Sequence, residues 1–328
     1  MRLTAVRILF PAVLLLAALA AGAALWGWTR FGAEGPLEAP ATVILDRGLG
    51  LQGIAWRLEE RGVIASATVF SVGVRLTGLH DRLRAGEYAF EPGISPRAVM
   101  DALVAGDVVV HRLTLPEGLS STEIVALIEA APALTGEITG PVTEGSLLPD
   151  TYHYVYGDDR MQVIVRMQVA MQGVLDELWP ARADGLPLAS PEEAAVLASI
   201  VEKETGLAGE RALVAGVFVN RLRIGMPLQS DPTVVYALTR GGVALDRPLR
   251  RFDLELDDPY NTYRHRGLPP GPIANPGRAA LEAALHPAET GAYYFVADGT
   301  GGHAFAATLD EHDLNVQRYR DMLSGGVP

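Results

Sequence analysis

Cysteine is absent from the 328 residues, which removes disulfides, thiol nucleophiles and cysteine-based zinc sites as explanations of function. The absence suits an oxidising compartment without requiring one. Positive charge is also scarce: 27 Lys and Arg stand against 39 Asp and Glu, a formal net charge of −12. Binding to nucleic-acid phosphates needs a dense cationic face. None is present, so nucleic acid is excluded as a partner. No His/Asp/Glu group has metal-ligand spacing; His286-Pro287 and Glu311-His312 stand isolated. No glycine-rich loop follows a strand as phosphate or dinucleotide binding demands. The expectation is therefore no metal and no cofactor. With 49% hydrophobic and 20% charged residues, the chain is too apolar to be disordered, and its length suits about two domains. The 35 Gly and 22 Pro imply many turns, as in α/β or α+β architectures.

What the chain does have is one long apolar run, residues 8–28, without a charge. At about 1.5 Å per residue a helix of this length spans about 30 Å, the thickness of a bilayer's hydrocarbon core. Arg2 and Arg7 precede it, and Trp26 and Trp28 close it where an interfacial aromatic belt would lie. This predicts a cytoplasmic N-terminus over residues 1–7, a transmembrane anchor over 8–28 and an exported body. A cleaved signal peptide is the rival, with Ala18-Leu19-Ala20 resembling a cleavage site, but the run is long for a signal. The expected location is the cell inner membrane, single-pass, with the working part in the periplasm.

Residues 29–41 are rich in Gly, Pro and Ala and read as a linker. Residues 42–115 follow with a β-α-α-β-α-β order: Ser95 caps a helix that starts at Pro96 and stops near Gly106. Residues 116–328 form a larger domain, opened by the capping box Ser120 to Glu123. The aromatic cluster Tyr152, His153, Tyr154 and Tyr156 follows Leu148-Pro149-Asp150, and residues 161–179 read as a long helix.

Chemistry concentrates at residues 190–206, SPEEAAVLASIVEKETG. Ser190 is an N-cap, Pro191 the first helical residue, Glu193 closes a capping box and Gly206 suits the C-terminal cap. At about 100° per residue, Glu204 lies within about 60° of Leu197, Ile200 and Val201, whereas Glu202 points about 140° away from Leu197. Glu204 thus continues the apolar stripe and is expected to be partly desolvated, at the negative end of the helix dipole. Both effects raise a carboxyl pKa, as a general acid near neutrality requires. Glu202 is expected to pair with an Arg on the surface. On spacing alone, two ordinary helix-end glutamates explain the segment equally well.

Rigid, polar loops follow. Residues 225–234 (GMPLQSDPTV), Tyr260-Asn261-Thr262-Tyr263 and the Pro/Gly run 267–273 concentrate hydrogen-bonding groups where an exposed connector would not need them. Residues 293–297 (YYFVA) read as a strand leading through a Gly-rich turn to His303, with a helix from about Leu309.

In this order the segments ASIVEKET, NRLRIGMPLQSDPTVVYAL, YNTYRHRGLPPGPIANPG, HPA, YYFVADGTGGHAF and a closing EH resemble the MltG (YceG-like) endolytic murein transglycosylases, over roughly residues 42–322. The resemblance implies an α+β fold with a small LysM-like module, residues 42–115, and a larger mixed α/β catalytic domain. It implies cleavage of peptidoglycan glycan strands between MurNAc and GlcNAc, leaving 1,6-anhydro-MurNAc ends. The family's catalytic glutamate lies in EKET, here Glu204 or Glu202, with Glu204 favoured. One carboxyl suffices because no water is activated, in contrast to the carboxylate pair of most glycosidases. Substrate-binding candidates are Gln229, Ser230, Asp231, Tyr260, Asn261 and His303, with Tyr152 and Tyr154 as stacking faces. Asp231 equally suits a turn cap, the tyrosines suit packed wedges, and His303 suits an ordinary loop residue. Expected partners are glycan strands, membrane-bound peptidoglycan synthases and, through the anchor, the membrane. Two other readings stand beside this one: a non-catalytic peptidoglycan-binding scaffold, and a lysozyme-type hydrolase that would leave reducing ends.

Overall fold

The computed structural model of the chain describes residues 2–242 and 245–325. Of the expected cytoplasmic segment and the start of the expected anchor, Met1 and the side chains of residues 2–12 lie outside this description. The backbone divides into two compact units, Met1–His111 with His153–Asp158, and Arg112–Tyr152 with Asp159–Pro328. The architecture is mixed α and β.

The first unit begins with helix α1, Arg2–Gly32. Within it Val13–Gly32 is long and apolar enough to cross a membrane, with a mean hydropathy of 1.5. The helix continues past Trp28 into what the sequence suggests is linker, because Phe31 finds a site in the unit's core and is 1% exposed. Then come β1 (Ala41–Leu45), α2 (Leu51–Glu60), α3 (Ala67–Thr77), β2 (Gly86–Phe90), α4 (Pro96–Ala105) and the start of β3 (Val110–Thr114), which passes into the second unit at Arg112. β1 and β2 pair antiparallel, with Val43 opposite Tyr88. Alternation along the strands turns Val43, Leu45, Tyr88 and Phe90 inward. The helices cover that face with Ile54, Leu58, Phe70, Val74, Val99 and Leu103. Two helix starts are marked locally: the Ser66 and Ser95 hydroxyls accept from the Val69 and Ala98 amides at 3.3 and 3.2 Å. Tyr154, a stacking candidate in the sequence, is 4% exposed. Its ring lies on that of His111, centroids 5.2 Å apart, so it is a packed wedge with no free face for a sugar.

The second unit contains α5 (Ser121–Ala130), α6 (Arg160–Leu178), α7 (Pro191–Glu204), α8 (Arg211–Arg223), α9 (Asp231–Thr239), α10 (Arg278–Leu285), the strands β5 (Tyr294–Ala297) and β6 (His303–Ala306), and α11 (Leu309–Gly325); strand β4 (Thr151–Val155), which begins in this unit and passes into the first at His153, falls between α5 and α6 in the chain. Ser120 and Glu123 form the capping box in full. At Ser190 the box is shifted: Glu193 takes the Ala189 amide at 2.6 Å instead of that of Ser190. α7 ends on Thr205 in extended conformation rather than on Gly206. α7, α8 and α10 pack around one core with Leu197, Ile200, Val214, Phe218 and Leu281 at its centre. Each of these, fully buried, contributes about 1.5–3 kcal/mol. α8 carries Gly216 at the closest approach, where a Cβ would press into the Ala288 carbonyl. α9 occupies the end of a segment whose Gly and Pro suggest only loop; Asp231 and Pro232 are its first two residues.

Candidate active site

α7 decides where both glutamates go. Its centre is apolar on every side, and Ala194 through Val201 are all buried. A helix apolar all round sits inside the protein and has no solvent face to offer. Glu202, expected at the surface, is therefore inside: its side chain is 5% exposed. It accepts the Gly277 amide at 2.9 Å, at the start of α10, and lies 3.8 Å from Arg211. Arg211 also reaches Glu117 at 3.5 Å. The expected Arg partner exists, but in the interior. Burial raises the Glu202 carboxyl, the Gly277 amide opposing it, and the contacts hold it as a strut between α7 and α10.

Glu204, two residues on, faces a different set of groups. The Ser230 hydroxyl donates to its Oε1. Ser230 is the residue before α9, an N-cap position whose side chain usually turns back onto its own helix; here it makes no such bond and is turned to the carboxylate. Burial pushes Glu204 up to about 7, with the Ser230 hydrogen bond opposing, Asp231 adding to the rise, and His303 and Arg221 pulling the other way. A carboxyl at about 7 is half protonated at neutral pH, so it can give a proton and take one back.

Two hydroxyls fix Ser230. Its amide donates to Thr262 Oγ1 at 3.0 Å, Thr233 Oγ1 donates to its carbonyl at 2.6 Å, and Thr233 and Thr262 Oγ1 are 2.9 Å apart. Gln229, at φ 50°, donates its amide to the Thr262 carbonyl at 3.2 Å and leaves its side chain exposed. Asp231 accepts from the Tyr263 hydroxyl at 2.6 Å, and burial with Asp231's charge holds that phenol well above its ordinary range. Arg221, 6% exposed, donates to the Tyr293 and Leu228 carbonyls, both at 2.6 Å, which places a buried cation near the carboxyl.

His303 has its Nδ1 2.7 Å from Glu210 Oε2, and its amide donates to Glu210 Oε1 at 2.9 Å. The edge contact with Phe295, centroids 5.3 Å apart, holds the ring from the side. Glu210 is drawn down by His303 against the opposing effect of burial. Tyr260 packs its ring on Tyr236 at 4.8 Å with the Arg240 guanidinium 4.9 Å from its centre. A cavity of about 490 Å³ opens next to these groups, lined among others by Lys203, Asp231, Tyr236, Arg247 and Ile273; Glu204 is adjacent to two of its walls in sequence or charge but is not one of them.

The sequence candidates thus divide. Glu204, Ser230, Asp231 and His303 converge, with Gln229 exposed beside Ser230 and Tyr260 packed on Tyr236. Asn261 does not: it is 0% exposed, donates to the Leu254 and Leu256 carbonyls at 3.0 and 2.7 Å and accepts the Tyr263 amide at 3.0 Å. Its amide is consumed inside its own loop. Tyr152 donates its hydroxyl to the Leu148 carbonyl at 2.8 Å, and burial pushes that phenol up to about 12; its polar end is occupied. Thr233, Thr262, Tyr263, Arg221 and Glu210 belong to the cluster without having been candidates. Thr262 and Tyr263 in YNTY, Thr233 in the loop 225–234 and Arg221 in the segment NRLRIGMPLQSDPTVVYAL stood in stretches the sequence marks; Glu210 did not.

Fold and site together are those of a mixed α/β protein with two glutamates at the end of α7, Glu202 and Glu204, both raised by burial. The chain belongs to the YceG-like family, whose profile matches residues 43–318. It is 31% identical over 313 residues to a Bacillus subtilis (strain 168) protein named endolytic murein transglycosylase, covering 86% of this chain and 85% of that one. A Streptococcus pneumoniae (strain R6) protein of the same name is 28% identical over 332 residues; the match covers 85% of this chain but 58% of the pneumococcal one. The crystal structure of a yceG-like protein from Listeria monocytogenes superposes with a TM-score of 0.53 at 30% identity, covering 84% of this chain and 98% of that one.

Proposed function

We propose that the chain is a membrane-anchored endolytic lytic transglycosylase of peptidoglycan, with Glu204 as its acid and then its base. The observation that carries the reading is a carboxyl raised to about 7, held by Ser230, in a chain whose relatives are named for this activity. Protonated Glu204 donates to the oxygen linking MurNAc C1 to GlcNAc, and the C1–O bond breaks. The MurNAc 6-hydroxyl oxygen attacks C1 to close the 1,6-anhydro ring, and its proton passes to the Glu204 carboxylate. The acid is restored without water. Asp231, kept in place by Tyr263, is the anion suited to stabilise positive charge at C1 as the bond breaks. His303, oriented by Glu210, and Gln229 are the polar groups for the sugar hydroxyls. Residues 42–115 are proposed to act as a LysM-like module, and α1 to anchor the chain in the cell inner membrane with both units in the periplasm, within reach of membrane-bound synthases.

Mass spectrometry of products from uncrosslinked glycan strands tests this, with wild type beside Glu204→Gln and Glu202→Gln. Internal fragments ending in 1,6-anhydro-MurNAc, lost only in Glu204→Gln, support it. Loss only in Glu202→Gln moves the acid to Glu202. Reducing ends mean a hydrolase, and an inert wild type means a scaffold.

A further inference from the structure

We infer that the first unit is seated on the lipid leaflet from which α1 emerges, with the exposed face of α3 in the headgroup layer. The inference rests on the reading of α1 as an anchor. If α1 leaves the hydrocarbon at Trp28, where its apolar run ends, Phe31 follows three residues later, about 4.5 Å along the helix axis. Each headgroup layer is about 5–7 Å deep, so Phe31 is still within it. Yet Phe31 is not in a tether. It is 1% exposed and lies so close over Gly73 of α3 that a Cβ there would overlap its ring. Its ring also meets Phe70, centroids 6.4 Å apart. The element gripped by Phe31 must share its depth.

α3 is dressed for that depth. At about 100° per residue, Val69, Leu76 and Val72 lie about 40°, 60° and 100° round from Gly73, all to the same side of it. Leu76 is 70% exposed and Val72 49%, although both are large and apolar on a helix that has a core face to fill. Around the junction, Arg30 lies over the Trp26 ring and Arg97 of α4 over that of Trp28, each 5.8 Å from the ring centre. Arg with Trp is the pairing of a bilayer interface, where the ring sits at headgroup level and the guanidinium reaches lipid phosphate. An unbroken helix, a buried joint and an apolar rim at one level fit a leaflet of anionic phospholipid.

The absence of cysteine gives a clean test. Single Leu76→Cys, Val72→Cys, Leu19→Cys and Leu207→Cys variants of the full chain are spin-labelled in nanodiscs of phosphatidylethanolamine and phosphatidylglycerol. Accessibility to oxygen and to a water-soluble nickel chelate is then measured at each. The expected result is an oxygen-to-nickel ratio at Leu76 and Val72 several-fold above that at Leu207 and below that at Leu19. A Leu76 ratio equal to that at Leu207, with Leu19 in lipid, overturns the seating and leaves the anchor intact. A Leu19 label in water overturns the anchor and the seating together. Shielding of Leu76 from both reagents would mean a protein covers α3, which also overturns the proposal.

Discussion

Replacing Glu204 by Gln should stabilise the folded chain, and only above the acid range. Burial raises the Glu204 carboxyl from 4.5 to about 7, so the folded state resists ionisation that the unfolded chain allows. That resistance is absent below pH 4.5, where the group is protonated in both states. It grows by about 1.4 kcal/mol per pH unit between 4.5 and 7 and then levels off. The accumulated loss is about 3 kcal/mol of wild-type stability at pH 8 relative to pH 4. A glutamine of equal size does not titrate and can still accept the Ser230 hydroxyl, so it escapes this loss. Titrating groups that do not feel the charge of Glu204 are common to both proteins and cancel in the difference. Calorimetric melting of the full chain in detergent at pH 4, 6 and 8 gives the assay. For a unit of this size about 3 kcal/mol corresponds to roughly 6–12 °C. The Gln variant should match wild type at pH 4 and lead by that amount at pH 8. Parallel melting profiles across the whole range would refute the argument, because they would mean that Glu204 ionises as freely inside the protein as outside it.

Three further outcomes follow from the same geometry. Loss of the Ser230 hydroxyl in Ser230→Ala removes a bond that favours the charged carboxylate, so the descending limb of kcat/KM against pH, expected near pH 7 for an essential protonated acid, should move upward. A limb that stays in place would separate Ser230 from the acid. Asn261→Ala should cost about 1–3 kcal/mol in urea unfolding, since it strands two carbonyls and an amide in a buried loop; a variant of unchanged stability that binds glycan strands less tightly would restore Asn261 as a substrate ligand. Glu202→Ala should destabilise by about 3 kcal/mol through Arg211 and the Gly277 amide left unpaired, whereas Glu202→Gln keeps an acceptor and should lose less. Equal losses for the two would mean that the strut is not made by hydrogen bonding.

The features written in local chemistry were legible in the sequence. Serine caps at Ser66, Ser95, Ser120 and Ser190 fix helix starts through bonds that span three residues. The same signature stands at Ser230-Asp231-Pro232, but Gly225 and Pro227 just before it make the whole stretch read as loop, and α9 is hidden. What one dimension does not carry is burial of polar groups. Asn261 and Tyr154 look like ligands because their chemistry suits a sugar, and only the packed structure shows that neighbours have already used it. The Thr233–Thr262 contact joins residues 29 apart and the His303–Glu210 pair residues 93 apart, with no periodicity to announce either.

Glu202 shows most clearly where the inference from pattern ends. The angular argument about α7 assumes a helix with one wet side and one dry side, and it assigns the two glutamates accordingly. α7 has no wet side. Once both carboxyls are inside, facing alone cannot distinguish an acid from a strut; the neighbours must do it. Glu202 meets an amide and a guanidinium, groups that hold a carboxylate in one place. Glu204 meets one hydroxyl, with the charge of Asp231 opposing ionisation and those of His303 and Arg221 favouring it, an environment that suits the proposed acid. The difference between the two residues is a difference in partners: Gly277 and Arg211 for one, Ser230 and Asp231 for the other. Those partners come from segments far along the chain, so the distinction exists only in the folded protein.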